Sequence, residues 1–427
     1  MEYTSLWQQF SNRRIGVILL LGFSSGLPLA LTGKTLQGWM TVENVDLTTI
    51  GIFTLVSFPY TWKFLWAPFL DRYVPPLFGR RRGWMLITQL GLIVSFCAMG
   101  LTSPVNATLM MAMLAVMVVT LSATQDIAID AYRTDILHAS ERGIGAALFV
   151  GAYRLAMLTS GALVFVIAPY IGWGNCYLIM AALMSIGVIG ALFGAEADNG
   201  EHQPRSLADA VMHPFIDFMS RPMAVWFLLL IVLYKIGDAF AGTLSTTFLI
   251  RVLELDVQFI GIVDKGMGLA VSILGGIYGG LLMFRLGLYR SLMLFGVLQA
   301  VTNIGYWVLA ISDQSLSLTA LVIALENIAG GMGTAAFVAL LMSLCNIKYS
   351  ATQFALLSAL AALGRVYLGP MAGYLLDNEI LDWAGFFILT TIAALPGLML
   401  LWLMKRQIEV LDRDTNGSQS NKITPSD

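Results

Sequence analysis

Long apolar runs, each closed by a short polar or Gly/Pro-containing stretch, recur from Arg14 to Met404. Crossing roughly 30 Å of hydrocarbon takes about 20 helical residues, and runs of that length are the helix-spanning signal. The pattern predicts twelve spans, at about 14–40, 47–70, 84–102, 107–131, 142–169, 174–194, 223–250, 257–284, 290–311, 317–343, 350–376 and 384–404. An even count puts both termini on one side, and Lys and Arg decide which. With the N-terminus inside, Arg13, Arg14, Arg72, Arg80–Arg82, Arg133, Arg142, Arg205, Arg221, Arg285, Arg290, Lys348, Lys405 and Arg406 are cytoplasmic, whereas the outer loops hold Arg251 alone. The positive-inside rule therefore places both termini in the cytoplasm.

Residues 195–222 are polar, contain Asp198, Glu201, His202, Arg205 and three prolines, and divide the spans six and six. The expected organisation is an N-terminal six-helix bundle over 1–194, a cytoplasmic loop over 195–222, a C-terminal bundle over 223–404 and an unfolded polar tail over 405–427. Asn416 in that tail heads a glycosylation sequon, which has no meaning on the cytoplasmic side. A shift of 211 pairs Gly26 with Gly237, Thr32 with Thr243 and Arg154 with Arg365, and a shift of 210 pairs DLTTIG at Asp46 with DVQFIG at Asp256. Such offsets point to a parallel duplication. Two parallel six-helix halves are the architecture of the major facilitator transporters.

Composition narrows the class further. Of 427 residues 58% are apolar and only 12% charged, and mean hydropathy is +0.78, which excludes a soluble globular domain. A net charge of -2 gives no footprint for nucleic acid. Cys97, Cys176 and Cys345 lie in or beside separate apolar runs and suit neither a disulfide framework nor a metal site, so no metal and no cofactor is expected. Arg13 and Arg14 precede a long run carrying Pro28 and Lys34, unlike a cleavable signal.

Charge inside the spans carries the chemistry. A carboxylate in a membrane helix costs roughly 2.5–3.5 kcal/mol on insertion scales. Yet Lys34, Lys63, Asp126, Asp130, Arg154, Lys235, Asp238, Asp264, Lys265, Glu326 and Arg365 all lie there, and spans three, six, nine and twelve hold none. Snorkelling residues would not avoid every third helix, so the distribution predicts a solvated central pathway walled by the other eight spans. Within SATQDIAIDAYRTD at Ser122, Asp126 and Asp130 share one helix face, with Asp130 near the cytoplasmic mouth and Asp126 a turn deeper. Asp130 can instead be an interfacial residue beside Arg133.

All three histidines are in cytoplasmic segments, so a transported proton would ride on a carboxylate. Asp126, Asp130 and Asp238 are the expected proton-coupling residues. Asp238 lies roughly 20 Å into its span, and a plain ion pair with Lys235 three residues earlier is an equal reading. Asp264 and Lys265 are neighbours that do not face each other on a helix. Six bases against five acids suggest an anionic substrate whose carboxylates supply countercharge. The expected substrate-binding set is Lys34, Lys63, Gln125, Arg154, Lys235, Asn327, Gln353 and Arg365, with aromatic residues such as Trp39, Tyr60, Trp62, Tyr153 and Tyr234 available to stack on sugar rings.

DRYVPPLFGRRRG at Asp71 resembles the cytoplasmic loop signature of the major facilitator superfamily. Asp71, Arg72, Gly79, Arg80 and Arg81 would form a charge latch that holds one conformation, in addition to setting topology. Gly275 with Gly279, and Gly276 with Gly280, would let span eight approach another helix closely, and Pro28, Pro59, Pro370 and Pro396 are expected kinks.

Longer blocks narrow the family: GLPLALTGKTLQGWM at Gly26, KFLWAPFLDRYVPPLFGRRRGW at Lys63, SATQDIAIDAYRTD at Ser122, LYKIGDAFAGTLSTTFLIR at Leu233, GGMGTAAFVALLMSLCN at Gly330 and SATQFALLSALAALGRVYLGP at Ser350. Together they resemble the AmpG-type muropeptide permeases of the bacterial inner membrane. The resemblance implies a monomeric, proton-driven importer of anhydromuropeptides for cell-wall recycling, which also feeds β-lactamase induction where that enzyme is inducible. Some members carry further spans after the twelfth, whereas this chain turns polar after Met404. A carrier for another organic anion, such as a nucleotide-sugar or acyl-thioester, is the nearest rival. An intramembrane enzyme would need a base or metal cluster that the spans do not offer, and a sensor would need a soluble output domain.

Overall fold

Proline decides where the second predicted span fails to form as one helix. In the computed structural model, which describes residues 13–76, 78–137, 141–195, 212–346 and 350–411, residues 47–72 break into short pieces. These are α2 (Leu47–Ile52), a 3-10 stretch, α3 (Phe58–Trp62), a 3-10 turn at Lys63–Leu65, and α4 (Ala67–Arg72). Pro59 and Pro68 stand in the first turns of α3 and α4, where their missing N–H breaks the preceding helix without leaving a carbonyl unpaired inside the new one. Non-helical backbone at membrane depth survives only against protein or water. Here side chains tie it down: the Tyr60 hydroxyl donates to Ser122 Oγ at 2.8 Å and the Trp66 indole to Thr124 Oγ1 at 3.1 Å.

Eleven continuous helices among the described residues are long and apolar enough to cross a membrane. They are α1 (Arg13–Val42), α5 (Arg80–Gly100), α6 (Thr108–Ile136), α7 (Gly145–Ile171), α8 (Trp173–Phe193), α10 (Ala224–Arg251), α11 (Val257–Leu286), α12 (Leu288–Ile311), α13 (Leu316–Ser343), α14 (Thr352–Asp377) and α15 (Trp383–Leu403). A short helix, α9 (His213–Met219), precedes α10 in the segment expected to be loop. Residues 405–410 are also helical, with Ile408 buried, so the polar tail begins later than expected; residues 412–427 and the polar stretch 196–211 lie outside the described residues.

Two compact units are present. One comprises the described parts of Met1–Val45, Leu55–Leu207 and Asp256–Lys265; the other, of Asp46–Thr54, Ala208–Leu255 and Gly266–Asp427. The two stretches that depart from the sequence halves are the paired repeats DLTTIG and DVQFIG. Asp46 caps α2 by accepting from the Thr49 amide at 2.7 Å, and Asp256 caps α11 by accepting from the Gln258 amide at 2.8 Å. Each unit has thus taken in a repeat whose acid serves the same purpose at its helix N-terminus. Only the first gains a second acid: Asp377, at the end of α14, accepts from the Leu47 and Thr48 amides. A further sign of the duplication is backbone. Gly79 and Gly287 adopt φ of 72° and 75° directly before α5 and α12, a conformation open to glycine at little cost.

Helix contacts follow small residues. Gly22 and Gly26 of α1 face Phe149 and Tyr153 of α7, where an added Cβ would collide with backbone oxygens. Gly275 and Gly279 of α11 pack in the same way on Ile328 and Met332 of α13, as expected, whereas Gly276 and Gly280 face open space or nearly so. The α1 helix breaks at Gly33, with φ -97° and ψ -111°, inside a π-turn at Leu31–Thr35, rather than at Pro28. Comparable π-turns occupy Thr159–Leu163 and Gly261–Met267. Widened turns of this kind present side chains that a regular ladder would turn away.

Candidate transport site

On α6 the periodicity of burial separates residues that are adjacent in sequence. Val118, Ser122, Gln125, Ile129, Tyr132 and Ile136 form the packed stripe, at helical spacing. Gln125 is 0% exposed on this stripe, and its side-chain amide has no hydrogen-bond partner. The structure therefore puts Gln125 inside the helix packing, not on an open wall. Asp126 is one residue further round. Its carboxylate accepts a hydrogen bond from the Ser25 hydroxyl of α1, which is 3% exposed, and it lies within electrostatic reach of Lys63 in the broken segment. Asp130 sits a turn further in and pairs with Arg133 at 3.2 Å, with its side chain 53% exposed; Arg133 also covers the Phe149 ring at 4.5 Å.

In the second unit Lys235 and Asp238 form the i,i+3 pair on α10, at 3.6 Å. Lys235 also donates to Thr334 Oγ1 at 3.3 Å and lies 5.8 Å from the Phe337 ring centre. Asn327 donates to Glu326 at 3.0 Å and to the Ile323 carbonyl at 2.9 Å on its own helix. Asp264 and Lys265, of the first unit, do pair, contrary to expectation, because the long lysine stem wraps back to its neighbour at the π-turn. Lys265 Nζ lies 5.4 Å from the Phe165 ring centre. Lys34, half-buried, occupies the π-turn of α1. Arg154 and Arg365, matched by the repeat, are both exposed, and neither has an acidic partner among the described residues.

At the loop between α4 and α5, Gly79 opens α5, Arg72 is exposed, and Arg80 is buried. Arg81 pairs with Asp135 at the end of α6, at 3.2 Å. The side chain of Asp71 lies outside the described residues. Arg82 donates to the carbonyls of Ala191 and Leu192 and Arg13 to that of Phe193, so cations cap the C-terminus of α8 where the helix dipole favours them. Asp135 and Arg82 are partners at this loop that its signature alone did not single out.

Gln353, expected at the substrate site, is 1% exposed and engaged in a network with α9 and the residues after α13. It donates to the Pro214 carbonyl at 3.0 Å and Asp217 Oδ2 at 2.8 Å, and accepts from the Asn346 amide at 2.7 Å. Arg221 bonds Asp217 at 3.0 Å and the Leu344 carbonyl. Hydrogen bonds from Gln353 foremost, then from Arg221 and Asn346, outweigh desolvation and hold the Asp217 carboxyl below its usual range. A depressed acid stabilises the fold above its unfolded value of about 3.9 and loses that contribution as pH falls through the folded value. Gln353→Leu should therefore lower stability, by removing the hydrogen bonds that hold the Asp217 carboxylate and the Asn346 amide. The loss is expected as a lower thermal unfolding temperature in detergent at neutral pH, shrinking in strong acid, with KM for uptake unchanged. A raised KM at unchanged stability would return Gln353 to the substrate site.

No cluster of three or more His, Cys, Asp or Glu residues among the described ones is arranged to hold a metal. A many-spanned helical protein with ionisable groups paired inside its spans, two exposed arginines matched by the repeat and a basic loop has the make-up of a membrane carrier for small molecules. Comparison with known proteins narrows that class. The Major Facilitator Superfamily profile matches residues 18–367. The anhydromuropeptide permease of Escherichia coli strain K12 is 51% identical over 409 residues, covering 96% of this chain and 82% of that protein. An uncharacterized protein of Haemophilus influenzae is 38% identical, covering 93% and 96%, and the putative transporter AmpG 1 of Rickettsia bellii 29% identical, covering 93% and 100%. Among solved structures, the nucleoside transporter NupG superposes with TM-score 0.73 at 14% identity, covering 92% of this chain and all of that one. A D-xylose-proton symporter superposes at 0.66 and 12%, covering 93% and 98%. The chain belongs to the AmpG-type muropeptide permease family of the major facilitator superfamily, and is a transporter, not an enzyme.

Proposed function

We propose that the chain imports anhydromuropeptides, N-acetylglucosamine–anhydro-N-acetylmuramic acid peptides, from periplasm to cytoplasm across the bacterial inner membrane, driven by protons through alternating access. On this reading it crosses twelve times, counting the broken segment, with both termini cytoplasmic, and works as a monomer. Where an inducible β-lactamase is present, its product feeds the induction signal. The two sequence halves are its functional domains.

One observation carries the coupling. Asp130, Asp238 and Asp264 each pair with a cation on their own stretch of helix, whereas the partners of Asp126 come from other elements, Ser25 on α1 and Lys63 in the broken segment. A proton on an intrahelical pair changes little between two arrangements of helices. A proton on Asp126 alters a tie between helices, which is what coupling requires. Asp238, with Lys235, is then a structural pair and a secondary proton site. Arg154 and Arg365 are the cations left for substrate carboxylates, with Lys34 and Lys63 in support. The substrate class rests on the 51% identical relative.

Uptake of labelled anhydromuropeptide into membrane vesicles tests the reading. Accumulation that collapses with the proton gradient is expected. Uptake displaced by nucleotide-sugars or acyl-thioesters, or indifferent to the gradient, would overturn substrate or coupling respectively.

A further inference from the structure

We propose that Ser25 is the positioning residue that transmits the protonation state of Asp126 to Arg154 by holding α1 against α6 only while Asp126 is charged. The inference rests on the proton role of Asp126. A serine inside a helix ordinarily returns its hydroxyl to a carbonyl one turn back. Ser24 does so, donating to the Leu21 carbonyl at 2.9 Å. Ser25, next to it and as deeply buried, donates across to Asp126 instead. That bond is charge-assisted, and its strength depends on the carboxylate remaining an anion. A protonated Asp126 is a weaker acceptor, and Ser25 then has a competing acceptor in its own helix.

The other side of α1 gives this change somewhere to go. Gly22 and Gly26 seat α1 on the backbone of α7, with Gly26 against the carbonyl oxygen of Tyr153, the residue before Arg154. No flexible side chain intervenes in that contact, so a shift of α1 moves the Tyr153–Arg154 backbone with it rather than being absorbed. Gly33 then breaks α1 just beyond this seat, so the inner part of α1 can shift separately from its outer turns. The charged groups that act on Asp126 are Lys63 from the broken segment and Asp130 on α6; Tyr60 donates to Ser122, one turn back on α6, and on α5 Arg81 pairs with Asp135.

Removing the donor removes an interaction that favours the anion, so Ser25→Ala should let Asp126 take its proton at higher pH. The acid limb of the uptake profile, measured in proteoliposomes with the full chain, should move up by about one pH unit. Ser25→Thr, which keeps the hydroxyl, should restore the original profile, and Ser25→Cys, with a weak donor of similar size, should behave like Ala. KM for anhydromuropeptide, pH-dependent in the wild type, should become nearly flat across the same range in Ala and Cys. An unshifted profile in either folded variant, or a KM that keeps its full pH dependence, overturns the role of Ser25. Proton-driven accumulation surviving in Asp126→Asn would instead remove the reading on which it rests.

Discussion

Asp126→Asn should lose proton-driven accumulation of anhydromuropeptide while the protein remains folded. The amide matches the carboxylate in shape but is a neutral, weaker acceptor for Ser25, so the tie between α1 and α6 is left in its loosened state and no longer titrates. With one proton carried per substrate, each unit of imposed pH gradient is worth about 1.4 kcal/mol, or tenfold accumulation. In the variant that ratio should fall to about one, whatever the gradient, while substrate exchange with no net proton movement continues. The measurement is paired: accumulation against an imposed gradient and counterflow without one. Full accumulation would clear Asp126 of coupling. Loss of counterflow as well would mean that the amide had broken the substrate site or the fold. Asp238→Asn should be milder, since Lys235 keeps Thr334 and the Phe337 ring as partners.

What the sequence made legible here is where the costly residues are, and what it hid is whom they meet. A carboxylate in an apolar run stands out because its burial is expensive. Asp126 could be named from that alone. Its partner Ser25 could not, because hydroxyls are common and cheap in membrane helices, and nothing in GFSSG distinguishes a serine that bonds its own helix from one that bonds another. Gln125 was hidden in a related way. An amide beside Asp126 stands out in sequence, but the stripe Ser122, Gln125, Ile129 and Tyr132 at helical spacing puts it on the packed face. Gln353 shows the limit of hydropathy windows, since its partners Pro214, Asp217 and Asn346 lie outside the predicted spans. The second span was visible as an apolar run, yet two prolines within ten residues were stronger than the run's continuity.

Arg154→Ala and Arg365→Ala should each raise KM for anhydromuropeptide about 10- to 100-fold, with smaller effects on the maximal rate. Each removes a guanidinium that no acid neutralises among the described residues, so the loss is that of a charge-assisted bond to substrate, about 1.5–3 kcal/mol, rather than of a structural pair. Lysine at either position should recover only part of the affinity, because it meets a carboxylate as a point charge and not as a fork. If the arginines bind different carboxylates, the two losses add in the double variant. Substrates amidated at one carboxylate then tell them apart: an amidated muropeptide should be insensitive to substitution of the arginine that served that group, and remain fully sensitive to the other. Equal sensitivity to both arginines, whichever carboxylate is amidated, would mean that they act through the overall field and not as paired contacts.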